Sequence, residues 1–574
     1  MMASKNKNIL GLSCYYHDSA ACIITNNTVT AAAEEERFNR IKKYPGFPLQ
    51  AVNYCIRESG ISFDDIDFVG FYEKPYLKFY RVILSHLRSY PFSLPNFLAT
   101  IPEWLKERLD LPLTLESKIN YRDKVFFIKH HLSHAASSFF PSGFEEATIL
   151  TADAIGEWSS LTCGFGKDKN IEIEKEITWP DSLGLVYTAI TTYLGFMAHT
   201  GEAKVMGLAG YGKPVYLDKL KKIIKINPDT SFKVDESYFG FNKGRRMFSG
   251  KFVKTFGKPR KKGDELKQKD FDMAASLQKL TEDIIINIAS GLHEKRKDRN
   301  LCLGGGLFLN CVMNHRLLRE TPFENIFIQP ASGDSGGALG VASYINHSVL
   351  GNTRTYIMDN AFLGPQFSKK EIKLALKINN LNFKELDWEY LYELSAKKIA
   401  EGKIVGWFQE RMEYGPRALG NRSIIANPCL KNIKEILNRT KKREQFRPFA
   451  PSVLEEKAKD YFIMDCSSPF MLLAPYVRAE KREVVPGITH VDGTSRVQTV
   501  NKAVSPKFWN LIRSFEKMTG VPLVLNTSFN LRGEPIACTP QDAIDCFKRS
   551  SMDILVMDKF MAVKEDRLDE LKGY

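Results

Sequence analysis

The sequence predicts an α/β protein of two domains, the first of them built by duplication. Three observations lead there. Short apolar runs alternate with segments of helical periodicity along most of the chain. A strand, polar loop, strand, turn, strand pattern occurs twice in the first third. The 574 residues are too many for one core, and the pattern pauses once, around Leu350–Pro365, amid Gly, Asn and Pro. The boundary is placed at that pause, giving domains of residues 1–355 and 356–574.

In the first copy, Ile9–Cys14 and Ala20–Thr25 are predicted strands flanking the polar loop His17-Asp18-Ser19. Asn26-Asn27 is a turn and Val29–Ala33 a third strand. In the second copy the strands are Ala147–Ala152, Trp158–Gly166 and Ile171–Ile177, with Asp153–Gly156 as the loop and Lys167–Asn170 as the turn. Each copy sets a short acidic loop between its first two strands, so duplication would face both loops onto one cleft. Phe68–Tyr72 and Val125–Ile128 are further strands, the second leading into a helix over His131–Phe140. Ala274–Lys295 has helical periodicity, Leu301–Leu303 and Asn325–Gln329 are short strands, and Gly336–Ile345 is a small-residue helix. The second domain mixes helix (Glu389–Glu401) with strand (Ile404–Phe408, Val521–Asn526). Residues 76–110, rich in aromatics, Leu and Pro, read as core packing or a helical insert.

A content of 44% hydrophobic and 11% aromatic residues is ordinary for a globular protein, so disorder is not the expected reading. The net charge of +14, from 81 Lys+Arg against 67 Asp+Glu, raises a nucleic-acid partner. Much of the excess sits in Lys243–Lys262, which has no acidic residue and reads as a solvated loop or a lid over an anionic substrate. Nucleic acid is therefore not the expected partner. The ten cysteines form no CxxC pair, which speaks against a zinc ribbon or disulfide framework and fits free thiols in the cytoplasm. The apolar run Ile9–Tyr16 is too short for a signal-peptide core, and no run of about 18 apolar residues occurs, so no membrane span is expected.

Three constellations carry chemistry. His130 and His134 are four apart, so at a helix start they share a face, the spacing that presents two imidazoles to one metal. Asp153 in the second acidic loop and Asp334 in the GDSGG turn are available carboxylates, and two His with two carboxylates suit Fe(II), Mn(II) or Zn(II) better than Ca(II). Gly304-Gly305-Gly306, between strand and helix, lets backbone N–H groups approach phosphate, with Asn310 and Asn314 on the helix beyond. Lys204 sits beside a second glycine-rich loop, Gly207–Gly212. In the second domain Arg417, Arg422, Lys441, Arg443, Arg447, Arg496 and Arg532 stand among Gly, Pro and aromatics, with Asn526, Ser528 and Asn530 nearby. Forked donors in compact turns suit an anion such as phosphate.

The motifs YYHDSAA, EEERFNRIK, FYEKP, HHLSHAASSFF, GEAKVMGLAGYG, GGGLFLN, SGDSGGALG, WFQERMEYGPRALGNRSI, FRPFAPS, THVDGTSRVQTV and LNTSFNLRGEP occur in order nearly end to end. Together they resemble the NodU/CmcH family of O-carbamoyltransferases. The loop at Asp153 departs from the family, reading DAIGEW where DGVGEW is expected. The resemblance implies a duplicated actin-like ATPase (ASKHA) domain followed by a YrdC-like α/β domain. It implies that ATP, with Mg(II), and carbamoyl phosphate give carbamoyl-adenylate, whose carbamoyl group passes to a hydroxyl of a sugar or secondary metabolite. The metal, with iron expected, would sit on His130, His134, Asp153 and Asp334. Lys441, Arg447, Arg496, Asn526 and Ser528, with Arg417 and Arg422, would hold carbamoyl phosphate and ATP. Gly304, Gly305, Gly306 and Asn310 would line the N-terminal nucleotide site, and His17 would act as general base. Residues 76–110 and 215–270 would shape the acceptor pocket, and a homodimer is expected. The alternatives are a tRNA threonylcarbamoylation-type enzyme and a non-enzymatic nucleotide-binding scaffold.

Overall fold

The computed structural model describes residues 7–241 and 246–567, the side chains of residues 103, 106 and 107 excepted. The start of the basic stretch, residues 243–245, lies outside the described residues. The chain divides into two compact units. One holds residues up to Glu35 together with Pro45–Met358; the other holds Glu36–Tyr44 and the chain from Asp359.

The first unit contains two five-stranded sheets of one topology. In the first, Ile9–Ser13, Ala20–Thr25, Thr28–Glu34, Phe68–Phe71 and Val125–Phe127 lie in the order 3-2-1-4-5. The first three pair antiparallel and the last two join parallel. The second sheet repeats both order and directions with Glu146–Ala152, Ser159–Lys167, Asn170–Thr178, Asn300–Gly304 and Asn325–Ile328. The repeat of order and direction is the duplication that the sequence predicts. In each sheet the first strand is central, which explains its burial: Ile9–Ser13 is buried throughout, and Ala147–Ala152 likewise.

Helices His130–Phe139 and Ser335–Tyr344 pack closely. The glycines of SGDSGGALG make that approach possible. A Cβ at Gly340 would overlap the carbonyl oxygen of Ser133, and one at Gly337 would press into Tyr72. Gly340→Ala is expected to cost about 1–3 kcal/mol of stability through overpacking and to weaken metal retention, since Ser133 lies next to His134; thermal melts and metal analysis of the variant check both. The long helix runs Gln268–Arg296, starting earlier than its apolar periodicity, because the Asp270 carboxylate accepts the Lys267 N–H and caps a polar first turn.

Residues 75–119 form three helices, Pro75–Arg88, Leu94–Glu103 and Leu111–Ile119. The helical-insert reading holds, and its large side chains divide: Trp104, Leu111 and Leu115 are buried, whereas Tyr76 is 70% exposed, Tyr90 68% and Phe92 71%. None of the described helices is long and apolar enough to cross a membrane.

The second unit is built on an eight-stranded mixed sheet. Its strands run in the order Asn382–Glu385, Phe560–Val563, Ile554–Met557, Val405–Phe408, Arg422–Ala426, Leu523–Ser528, Ala450–Leu454 and Gln498–Val500. Helices Lys369–Ile378, Trp388–Ala400, Pro506–Thr519 and Pro540–Arg549 accompany it, around a core that includes Trp407, Leu525 and Val556.

His315 and His347 are buried in the first unit, and burial pulls each pKa from the ordinary 6.5 down to about 4. Both are neutral in the fold and take up protons more readily when unfolded. Their stabilisation is complete above pH 6.5 and is lost as pH falls toward 4, on the order of 2 kcal/mol per histidine. Urea melts at pH 7 and pH 4.5 should show this loss, and His347→Gln should reduce it by that residue's share.

Candidate functional site

Four of the expected ligands converge. His130 and His134 lie one turn apart on helix His130–Phe139. Asp153 follows strand Glu146–Ala152, and Asp334 begins helix Ser335–Tyr344. The two Nε2 atoms are 3.1 Å apart, and His134 Nε2 is 3.1 Å from Asp153 Oδ2. His130 Nε2 lies 3.7 Å from both carboxylates, and His134 Nε2 lies 3.8 Å from Asp334 Oδ1. One donor atom from each residue falls within 4.8 Å of all the others. Bonds of about 2.1 Å to one ion would set neighbouring donors roughly 3.0–3.5 Å apart, so the cluster fits a divalent transition metal. Asp334 Oδ2 is buried without a hydrogen-bond partner, as are both Nδ1 atoms.

The electrostatics agree. Burial holds His130 well below its ordinary pKa, in the neutral form that ligates. Burial alone would raise Asp153, but hydrogen bonds from His130 and His134 outweigh it and hold the carboxyl well below its usual range. Burial pushes Asp334 up to about 6. The third histidine serves structure: His131 Nδ1 is 2.6 Å from Thr151 Oγ1 and Nε2 is 2.9 Å from the Ser159 carbonyl, tying the helix to the sheet. Glu157 accepts the His130 N–H at 3.0 Å and anchors the helix start.

His17 stands at the rim, 17% exposed at its side chain, with Nδ1 3.0 Å from Asp18 Oδ2 and 3.9 Å from Asp334 Oδ2. The glycine turn lies against the same centre. Gly305 has φ +102°, and a Cβ there would collide with the Ala152 carbonyl oxygen, so glycine is required. A Cβ at Gly304 would lie 2.6 Å from the His134 carbonyl oxygen, and the Gly306 N–H is 3.4 Å from Asp153 Oδ2. Asn310 caps helix Cys311–Glu320 through the Met313 N–H and exchanges two hydrogen bonds with Gln278, so its amide is engaged there. Lys204 lies over the Phe196 ring, 5.4 Å from its centroid.

In the second unit Lys441 is buried, and its ammonium donates to the carbonyl oxygens of Ser528 and Asn530 and to Asn530 Oδ1. Burial, and after it the charge of Arg443, holds Lys441 well below its ordinary pKa. Burial pulls Arg443 down to about 9, with Arg447 and Arg496 adding to the effect. These cations repel one another in a low-dielectric setting; the Glu444 carboxylate, 3.0 Å from Arg447 and 3.2 Å from Arg532, offsets part of the repulsion, and a bound anion would relieve more. The Asn526 amide donates to Ser452 Oγ, Gln498 Oε1 and the Ala418 carbonyl, while Gln498 donates to the Leu419 carbonyl. The loop carrying Arg417 is thereby fixed against Asn526 and Gln498. Ser528 Oγ donates to Asn530 Oδ1.

Arg422 requires a correction. It is 0% exposed, stacks 3.7 Å over the Phe408 ring, and donates to the carbonyls of Gln409, Glu410, Asn421, Pro365 and Cys538. Its guanidinium holds the loop together and is not presented to a phosphate. Glu413, which the sequence did not single out, supports the same loop by accepting the N–H groups of Leu419, Asn421 and Arg422. A second unforeseen feature is the split of EEERFNRIK. Its later part belongs to the second unit, where Arg37 donates to the Gly415 carbonyl and Arg40 to those of Ile536 and Pro535.

Comparison with known proteins places the chain in a family. The family described as carbamoyltransferase N-terminus matches residues 8–343, and carbamoyltransferase C-terminus matches residues 396–564. An uncharacterized protein of Synechocystis sp. is 42% identical, covering 97% of this chain and 97% of its own length. Nodulation protein NolNO of Sinorhizobium fredii is 35% identical, covering 97% of this chain and 81% of its own length. Among solved structures, HypF of T. kodakarensis is similar at 11% identity with a TM-score of 0.33, covering 60% of this chain and 48% of HypF. With both domains matched in order, the chain belongs to the carbamoyltransferase family and is a carbamoyltransferase enzyme.

Proposed function

We propose that the protein joins ATP and carbamoyl phosphate into carbamoyl-adenylate in a YrdC-like domain of residues 356–574, then transfers the carbamoyl group in the domain of residues 1–355. The acceptor is a hydroxyl of a small molecule or glycan. The observation that carries this reading is the presence of two chemically distinct centres in one chain of this family: a buried two-imidazole, two-carboxylate cluster and a buried group of mutually repelling cations.

Activation balances as ATP, carbamoyl phosphate and water giving carbamoyl-adenylate, pyrophosphate and phosphate. Lys441, Arg447, Arg496 and Arg417 would hold the phosphates, with Mg(II) on ATP. Asn526 and Ser528, on one strand, would position the carbamoyl phosphate. Arg422 acts through the loop. In the transfer domain His130, His134, Asp153 and Asp334 would hold the metal, proposed as Fe(II), which supplies a Lewis acid for a carbonyl or a developing phosphate charge. The glycine turn Gly304–Gly306, whose N–H groups at Gly305 and Gly306 bond Ser332 and Asp153, would line the adenylate site. His17 would take the proton of the attacking hydroxyl, with Asp18 orienting its ring. The burial of both histidines and Asp334 would limit the access of water to an intermediate prone to hydrolysis.

Labelled carbamoyl phosphate supplied with a panel of hydroxyl compounds tests the sequence of steps. Label should appear in a carbamate ester when ATP is present and stay in carbamoyl phosphate when it is omitted. Ester formation without ATP would contradict the adenylate route.

A further inference from the structure

Helix Pro75–Arg88 is inverted relative to an ordinary surface helix. Its buried residues are Pro75, Lys78, Arg81 and Ser85, whereas Tyr76, Leu77, Tyr80 and Leu87 are exposed. Lys78, Arg81 and Ser85 follow the i, i+3, i+7 spacing of one face. Hydrophobic burial seats most helices by their apolar side. Here the inward face is polar, so what it meets is polar.

Two buried cations, Lys78 and Arg81, share that face with two buried carboxylates, Glu73 and Glu157, whose charges both act on Arg81, but only Lys78 is joined to one directly. Lys78 is committed to Glu73, both buried, in a short hydrogen-bonded ion pair. Glu157, also buried, accepts the Lys74 N–H at 2.7 Å and the His130 N–H at 3.0 Å. Arg81 is 9% exposed, its Nε is buried without a hydrogen-bond partner, and no ion pair reaches it among the described residues. Ser85 Oγ is likewise buried and unbonded. A buried guanidinium with unmet donors is costly unless something supplies acceptors.

The position of this face gives it meaning. Lys78 Nζ lies 4.9 Å over the Tyr16 ring; Tyr16 packs on His17 at 4.5 Å between ring centroids, and His17 is 3.9 Å from Asp334. The polar face therefore adjoins the metal cluster on the side where Tyr16, His17 and His199 reach solvent. Building on the carbamoyl-transfer reading, we propose that Arg81, with Ser85, binds an anionic group of the acceptor, a carboxylate or phosphate, while the acceptor's hydroxyl faces His17 and the metal ligands. The enzyme would thus select negatively charged hydroxyl compounds over neutral ones.

Calorimetric titration of the metal-loaded full chain with glucose, glucuronate and glucose 6-phosphate tests this, since the three share a hydroxylated ring and differ in charge. At least one of the anionic sugars should bind tenfold or more tighter than glucose, and which one does distinguishes carboxylate from phosphate. Arg81→Met should reduce that ratio to about one. Arg81→Lys, which retains the charge but not the fork, should keep part of it and covers the case in which Arg81→Met fails to fold. Equal binding of all three sugars, no saturable binding of any, or a preference unchanged in both variants would overturn the proposal. Carbamoyl phosphate-dependent pyrophosphate release, measured in the same preparations, reports on the underlying reading separately: release without a charge preference would sink this inference alone.

Discussion

Lys441→Met should lower carbamoyl phosphate-dependent pyrophosphate release by about 10²–10³-fold, the usual cost of removing a preorganised charge from a developing oxyanion. The ammonium is buried and fixed by the carbonyls of Ser528 and Asn530, so it is preorganised at the end of the strand that carries Asn526 and Ser528. Methionine keeps most of the volume and removes the charge. Metal content should remain at the wild-type level, because the His–Asp cluster belongs to the other unit. Lys441→Arg should not restore activity: a planar fork does not replace a compact ammonium in a closed turn. Steady-state rates, metal analysis and a thermal melt of each variant separate loss of chemistry from loss of fold.

The opposite pattern is expected at the other centre. His130→Ala and Asp153→Asn should each lower metal affinity by about 100-fold or more, exceeding the effect typical of removing a residue that merely supports a ligand. Carbamoyl ester formation should fall with the metal, while pyrophosphate release without an acceptor stays near wild type. His131→Gln should retain the metal, because His131 bonds Thr151 and Ser159 instead of facing the cluster. Metal analysis after dialysis against chelator, alongside both assays, checks all three variants. Loss of pyrophosphate release in His130→Ala would mean that activation is not confined to the second unit.

The duplicated hairpin was legible in the sequence because each copy places its acidic loop between an apolar strand and a return strand. The pairing of His130 with His134 was legible because a helix start fixes their common face. The closeness of Asp334 had a signal too: the glycines after it permit a helix crossing that any larger residue at 340 would block. Other features depended on tertiary partners. Arg422 resembles a phosphate ligand in composition, and only the carbonyls around it reveal a loop anchor. The EEERFNRIK segment reads as continuous, yet Glu35 belongs to one unit and Glu36–Tyr44 to the other. Lys78, Arg81 and Ser85 were obscured by the apolar and aromatic residues around them, which suggested a core where the structure exposes Tyr76, Leu77 and Tyr80.

The most direct test of the central claim needs no acceptor. Wild-type protein is incubated with ATP and Mg(II), with and without carbamoyl phosphate, and pyrophosphate is measured while carbamoyl-adenylate is sought by mass spectrometry. Pyrophosphate that rises with carbamoyl phosphate, together with the adenylate mass, is the predicted result. ATP left intact, or cleaved equally without carbamoyl phosphate, would contradict it.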